Sequence, residues 1–186
     1  MLFAAEKGVT NVGDKKILKL VIAAMFASLV CVATMVIKIP TPTNGYVNLG
    51  DCIVLLSGWL LGPVYGVAAA AIGSMLADLF AGYPVYAAAT FVIKGAVALI
   101  AWLIFGRKSR GAVLAVVSAV CAEAFMAFAY FVFEWLLMGQ GISAAAGIPA
   151  NLVQGLIGAV LALILLKLFT GSKALSEFFE TFKKKN

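Results

Sequence analysis

The chain has no histidine, three cysteines and few charges. Without histidine it lacks the commonest metal ligand and the usual general base. The cysteines, Cys31, Cys52 and Cys121, fall in or beside three different apolar segments and show no close pairing. They read as small apolar residues. There is no Gly-x-x-x-x-Gly-Lys-Ser/Thr phosphate loop and no Ser/His/Asp set, so no evident means of hydrolysing ATP. No metal, haem or other cofactor site is expected, and no catalytic residue is assigned. Charged residues make up 12% of the chain, against about a quarter in a soluble domain.

What fills the sequence instead is apolar: 64% of its 186 residues, with mean hydropathy +1.09. This composition predicts one all-α integral membrane domain spanning residues 1–186. The net charge of +6 does not point to nucleic acid, because the basic residues sit at the ends of apolar runs. The polar start of the chain, followed by a long apolar run, predicts a first membrane helix and not a cleavable signal.

The apolar runs cover roughly 17–39, 46–61, 63–81, 86–105, 112–137 and 149–169. Most are long enough to cross about 30 Å at 1.5 Å per residue. The second is short and is open to another reading, as one kinked helix with the third through Gly62-Pro63. Charge separates the two readings. Lys7, Lys15, Lys16 and Lys19 precede the first run. Arg107, Lys108 and Arg110 lie between the fourth and fifth. Lys167, Lys173, Lys183, Lys184 and Lys185 end or follow the sixth. With six spans all of these share the cytoplasmic side, leaving only Lys38 and Lys94 elsewhere. The expectation is therefore a six-transmembrane-helix bundle with both termini cytoplasmic. Pro40-Thr-Pro42-Thr-Asn44-Gly45 predicts an outer turn. The tail, with Phe178, Phe179 and Phe182 among lysines, is read either as an amphipathic surface segment or as a solvated end.

In that topology the costly side chains gather in the outer half. Asp51 is placed near the outer end of the second helix or in the preceding loop, and Asp78 near the outer end of the third. Thr90 and Lys94 share a helix face. Tyr83 lies in the next outer turn. Glu123, Tyr130 and Glu134 fall on one face of the fifth helix, and Asn151 and Gln154 open the sixth. A charge in a bilayer core costs at least about 2.5–3.5 kcal/mol, so these groups predict a pocket open to the outside. The alternative for the acids is structural pairing, for instance Lys94 with Asp78 or Glu123. The aromatics equally suit an interfacial belt. A small-residue stripe, Ala23, Ala24, Ala27, Ser28 and Cys31, marks the first helix as a close-packing face. Gly66, Gly73, Ala77, Gly155 and Gly158 are read as internal packing positions.

Asn48-Leu-Gly-Asp51, Leu61-Gly-Pro-Val-Tyr-Gly66, Gly73-Ser-Met-Leu-Ala-Asp78-Leu, Gly82-Tyr83 and Thr90-Phe-Val-Ile-Lys94-Gly95 occur in order. In this the chain resembles the substrate-binding S components of energy-coupling factor vitamin transporters. The resemblance is to the riboflavin-transporter-like branch, which also holds pyridoxine and hydroxymethylpyrimidine transporters, and it spans residues 17–170. It implies six helices and a vitamin site near the outer face, capped by the first outer loop. Partners are implied too: a membrane-embedded coupling subunit and two ATPase subunits in a bacterial cell membrane. Ala23-Ala24-Met-Phe-Ala27-Ser28 matches the family's coupling element, with Ser28 at one of its alanine positions. Substrate-binding candidates are Asn48, Asp51, Asp78, Tyr83, Thr90, Lys94, Glu123, Tyr130, Asn151 and Gln154. A small heteroaromatic of the vitamin B6 or hydroxymethylpyrimidine class is the favoured ligand, with riboflavin as the alternative. A reading of another class is a small membrane enzyme or scaffold using Asp51, Asp78 and Glu123, with carboxylates that suit a divalent cation. The intramembrane Lys94 counts against that cation.

Overall fold

The structure is a computed structural model and describes residues 12–40, 46–106 and 111–173. The predicted turn at 41–45, the basic loop 107–110, Lys7, the side chain of Lys15 and the tail from 174 onward lie outside the described residues. Helix α1 (Val12–Val36) leads into a small antiparallel hairpin of β1 (Lys38–Pro40) and β2 (Tyr46–Asn48). Helices α2 (Gly50–Ala81), α3 (Pro84–Ala101), α4 (Ala112–Val132) and α5 (Ile148–Gly171) follow. π-helical turns extend α3 through Trp102–Gly106 and α4 through Phe133–Leu137, and a 3-10 turn, Gly141–Gly147, precedes α5. Among the described residues five helical stretches are long and apolar enough to cross a membrane.

Helix α2 is not straight. Gly62 has φ 82° and ψ −169°, a conformation that L side chains avoid. Pro63 then opens a new helical arm, the position where a missing N–H costs nothing. The chain doubles back there. The Ser57 hydroxyl donates to the Gly66 carbonyl at 3.0 Å, although a straight helix would put those residues about 13.5 Å apart. Gly66 permits the approach, because a Cβ would sit 2.2 Å from the Ser57 carbonyl oxygen. The two arms of α2, 50–61 and 63–81, are therefore neighbours in the bundle.

The second apolar run of the sequence begins later than its composition implied. Residues 46–48 form β2, whose register pairs Lys38 with Asn48 and Pro40 with Tyr46. The helix starts at Gly50 because the Asn48 side chain turns back to accept the Gly50 N–H at 2.9 Å. At the far end of α2, Gly82 (φ 84°) closes the helix. The Tyr83 N–H reaches the Asp78 carbonyl at 2.8 Å and the Gly82 N–H reaches that of Leu79 at 3.3 Å, a glycine-capped stop.

The interior combines a few large side chains, such as Leu55, Leu56, Trp59 and Met126, with many small ones. Ala69, Ala70, Ala77, Ala98, Ala101, Ala119, Ala122 and Ala162 are all buried. Larger residues such as Val120, Phe128, Leu152, Leu156 and Leu168 face outward. This inverts a soluble core. Lipid is as apolar as leucine, so helices associate through close van der Waals packing rather than by hiding large side chains. The glycines read as packing positions behave accordingly: a Cβ on Gly73 would lie 2.4 Å from the Ala27 carbonyl oxygen, and one on Gly158 would lie 2.7 Å from Asp51 Cβ.

Candidate functional site

The polar groups converge at the end of the bundle that carries the hairpin. Lys94 of α3 is 3% exposed and forms an ion pair with Asp51, which opens α2 and is fully buried. The pairing of Lys94 with Asp78 or Glu123 offered by the sequence is thus corrected to Asp51. The carboxylate was placed at a helix end or in a loop, yet the Asn48 turn and Gly158 seat it against α5. Met126 Sδ lies 2.9 Å from the ammonium, and the Tyr130 ring centroid 5.5 Å away. The second Asp51 oxygen accepts from the Gln154 amide at 2.6 Å. The Gln154 carbonyl oxygen in turn accepts from the Asn48 backbone N–H at 2.8 Å and from its side-chain amide at 3.4 Å. One chain of contacts therefore runs from α3 through α2 and α5 to the hairpin. Every atom of the ion pair is compensated, which a buried pair requires to break even.

Above this chain lies the pocket. It is lined by Thr34, Tyr46, Asn48, Ser74, Asp78, Tyr86, Thr90, Lys94, Tyr130, Glu134, Asn151 and Gln154. Its polar contacts connect neighbouring elements. Tyr46 donates to Asp78 Oδ1 at 2.7 Å, Thr90 and Tyr130 share a hydrogen bond of 3.0 Å, and Tyr86 donates to Glu134 at 3.1 Å. Burial, then the Asp78 carboxylate, push the Tyr46 phenol above its ordinary pKa, so it remains a donor. An aromatic file covers one side: the Tyr46 and Tyr83 ring centroids are 4.8 Å apart, those of Tyr83 and Tyr86 6.4 Å, and those of Tyr86 and Phe133 5.3 Å. About 30 Å³ within the pocket is open to water-sized molecules, room for one or two waters. A ring must displace the hairpin or side chains to enter.

The structure brings seven of the expected substrate-binding residues to the lining: Asn48, Asp78, Thr90, Lys94, Tyr130, Asn151 and Gln154. Asp51 lies behind Lys94. Tyr83 packs on the outer ring of Tyr46. Glu123 is 5% exposed, and neither of its carboxylate oxygens has a hydrogen-bond partner. It is pressed against Gly155, where a Cβ would lie 2.8 Å from Glu123 Cβ. The sequence reading put Glu134 among the outer polar groups and Tyr46 and Tyr86 among the aromatics around the pocket without naming them as ligand contacts, and it did not assign Thr34 or Ser74 to the site. For Ser74 a signal was present, since it precedes Asp78 by one helical turn. The Tyr46 contact was hidden because it depends on the hairpin register. Among the described residues no group of His, Cys, Asp and Glu is arranged to hold a metal ion.

The small-residue stripe of α1 divides between two jobs. The Ala27 backbone packs against Gly73, and Ala23 is buried. Ala24 and Ser28 face outward. The Ser28 hydroxyl is satisfied within the helix by the Ala24 carbonyl at 3.0 Å. Together with Tyr65, Ala68, Ile72 and Phe80 they line an apolar groove on the outside of the bundle.

Residues 14–170 match the family described as "ECF-type riboflavin transporter, S component". The chain is 36% identical over 134 residues to the "Uncharacterized protein in gap 3'region" of Pyrococcus woesei, covering 71% of this chain and 88% of that protein. Its fold is similar to a solved structure described as the S component of a bacterial ECF transporter. That likeness has a TM-score of 0.70 at 23% identity and covers 84% of this chain and 97% of the other. The chain belongs to the ECF-type riboflavin transporter S component family, as a substrate-binding membrane subunit and not an enzyme.

Proposed function

We propose that this protein captures a small heteroaromatic vitamin or vitamin precursor at the outer face of a cell membrane, for ATP-driven uptake by partner subunits. The observation that carries the reading is the polar pocket lined from α1 to α5, with Tyr46 and Asn48 of the β1–β2 hairpin in its wall, at one end of a largely apolar bundle. Its tyrosines offer faces for a flat ring, and its amides, hydroxyls and carboxylates offer edges. A one-ring ligand of the vitamin B6 or hydroxymethylpyrimidine class is the first reading, because it demands less displacement of this lining than a three-ring flavin does. Riboflavin is the second reading, favoured by the description of the matching family.

In this proposal the break at Gly62 makes the two arms of α2 separate crossings, giving six, with both termini on the cytoplasmic side. Lys19 supports that sense: its ammonium lies 5.8 Å from the Tyr65 ring centroid, so the start of α1 and the start of the second arm share one end. The groove along Ala23, Ala24, Ala27 and Ser28 meets the membrane-embedded coupling subunit, and two ATPase subunits complete the transporter.

Mass spectrometry of the small molecule that co-purifies with the detergent-solubilised protein tests the ligand class. A pyridine or pyrimidine supports the first reading. A flavin, visible as yellow colour, supports the second. A tightly held molecule of neither type overturns both. Ala24→Trp is expected to abolish uptake by the complete transporter while leaving binding to the isolated subunit unchanged. Normal uptake would remove this groove from the interface.

A further inference from the structure

The second arm of α2 brings to the pocket two polar atoms that the protein's own hydrogen bonds do not use. Ser74 Oγ and Asp78 Oδ2 have no hydrogen-bond partner, although the two residues are 2% and 4% exposed and both line the pocket. They are four residues apart on the second arm of α2, so they stand one above the other on the same face. Asp78 Oδ1 is already taken by Tyr46, which fixes the carboxylate and leaves Oδ2 as the open acceptor. Thr90 interacts with the Asp78 carboxylate from α3 and Lys94 adds its charge from the same helix, yet neither makes a hydrogen bond to Oδ2: the Thr90 hydroxyl is shared with Tyr130 and the Lys94 ammonium is paired with Asp51. A buried acceptor left without a donor costs about 1–3 kcal/mol, so a ligand that supplies the donor recovers that cost on binding.

The cation count points the same way. Between Lys38 and Arg107 the chain has no basic residue except Lys94, and between Arg110 and Lys167 it has none. Among the described residues the pocket end carries Lys38, which is exposed on β1, and Lys94. Against these stand Asp78 and Glu134 in the lining, with Asp51 and Glu123 behind them. A phosphate group, which brings a charge of about −1.5 to −2, meets one cation in the lining, Lys94, and that one is already paired with Asp51.

We infer that Ser74 and Asp78 form the specificity edge of the pocket, which binds a hydrogen-bond donor of the ligand (a ring N–H, an amine or a hydroxymethyl group) and turns phosphate esters away. This rests on the proposed function and narrows it. The site takes the unphosphorylated, neutral or cationic form of a vitamin, and phosphorylation must follow transport. Thr34 of α1 is also in the lining, and Gly50 packs against its hydroxyl.

The test is equilibrium binding to the intact purified protein in lipid nanodiscs. The probes are riboflavin, pyridoxine, pyridoxamine and hydroxymethylpyrimidine, with riboflavin 5′-phosphate and pyridoxal 5′-phosphate as the phosphorylated set. At least one parent compound is expected to bind at least about a hundredfold more tightly than its phosphate. Asp78→Asn, which keeps the shape and removes the charge, is expected to weaken the parent about tenfold or more and to narrow the parent-to-phosphate ratio. Ser74→Ala is expected to weaken the parent by up to about tenfold and to leave the ratio unchanged. Equal or tighter binding of a phosphorylated probe by the unaltered protein overturns the inference and leaves the transporter reading intact. So does an unchanged ratio in a folded Asp78→Asn variant. Binding of none of the probes, with no heteroaromatic co-purifying, overturns the proposed function and this inference with it.

Discussion

The two ends of the bundle spend polarity differently. At the hairpin end an ion pair, two further carboxylates, three tyrosines and three amides meet around a pocket. At the other end Ser57 bonds within α2 across the Gly62 reversal, and a short, closed relay links three helices. Trp59 donates to the Ser118 hydroxyl at 2.8 Å, and Ser118 donates to the Ala101 carbonyl at 3.0 Å, beside a Trp59–Phe105 ring contact of 5.5 Å. That relay satisfies itself and holds α2, α3 and α4 together. The hairpin end leaves Ser74 Oγ and Asp78 Oδ2 open. The difference separates polarity used to assemble the protein from polarity held available for a ligand.

Removing a charge from the hairpin end tests this most severely. Asp51→Ala leaves Lys94 buried without its partner and is expected to destabilise the protein by about 3–5 kcal/mol. Thermal unfolding in detergent measures it, and adding Lys94→Met should restore much of the loss. A small effect of Asp51→Ala would show that the pair is not the keystone of that end. Tyr46→Phe is milder. It frees the hairpin from Asp78 at a cost of about 1 kcal/mol, and ligand dissociation measured by stopped flow should quicken several-fold. An unchanged off-rate would mean that the hairpin does not control exit. Trp59→Phe removes the donor at the far end, and should lower stability by about 1 kcal/mol with no change in ligand affinity. A loss of affinity there would dissolve the distinction between the two ends.

Much of this was legible in the sequence because membrane insertion makes polar residues expensive. Asp78, Thr90, Lys94, Tyr130 and Gln154 stood out against apolar neighbours, and all of them reach the pocket. The reversal at Gly62-Pro63 was legible as turn chemistry, and the bond from Ser57 to Gly66 gives it a physical form. Pair identities were not legible. Lys94 has acids on several helices within reach, and the choice of Asp51 depends on how closely α5 approaches through Gly158. Nor was the short hairpin, whose pairing of Pro40 with Tyr46 brings a tyrosine of no special sequence context to Asp78. Glu123 shows the opposite error. It was the most conspicuous acid on α4, yet it lies beneath the lining, pressed on Gly155.

Gln154 has one further consequence. Its amide donates to Asp51 on one side and accepts from Asn48 on the other, so the hairpin can part from it while the ion pair stays whole. Lifting the hairpin then breaks hydrogen bonds at Asn48 and at Tyr46 and the Tyr46–Tyr83 ring contact. At about 1 kcal/mol each, these hold the raised form to about one per cent of molecules at equilibrium. The entrance therefore works as a thermally sampled state rather than a lock, and amide exchange at Asn48 is the clock that would time it.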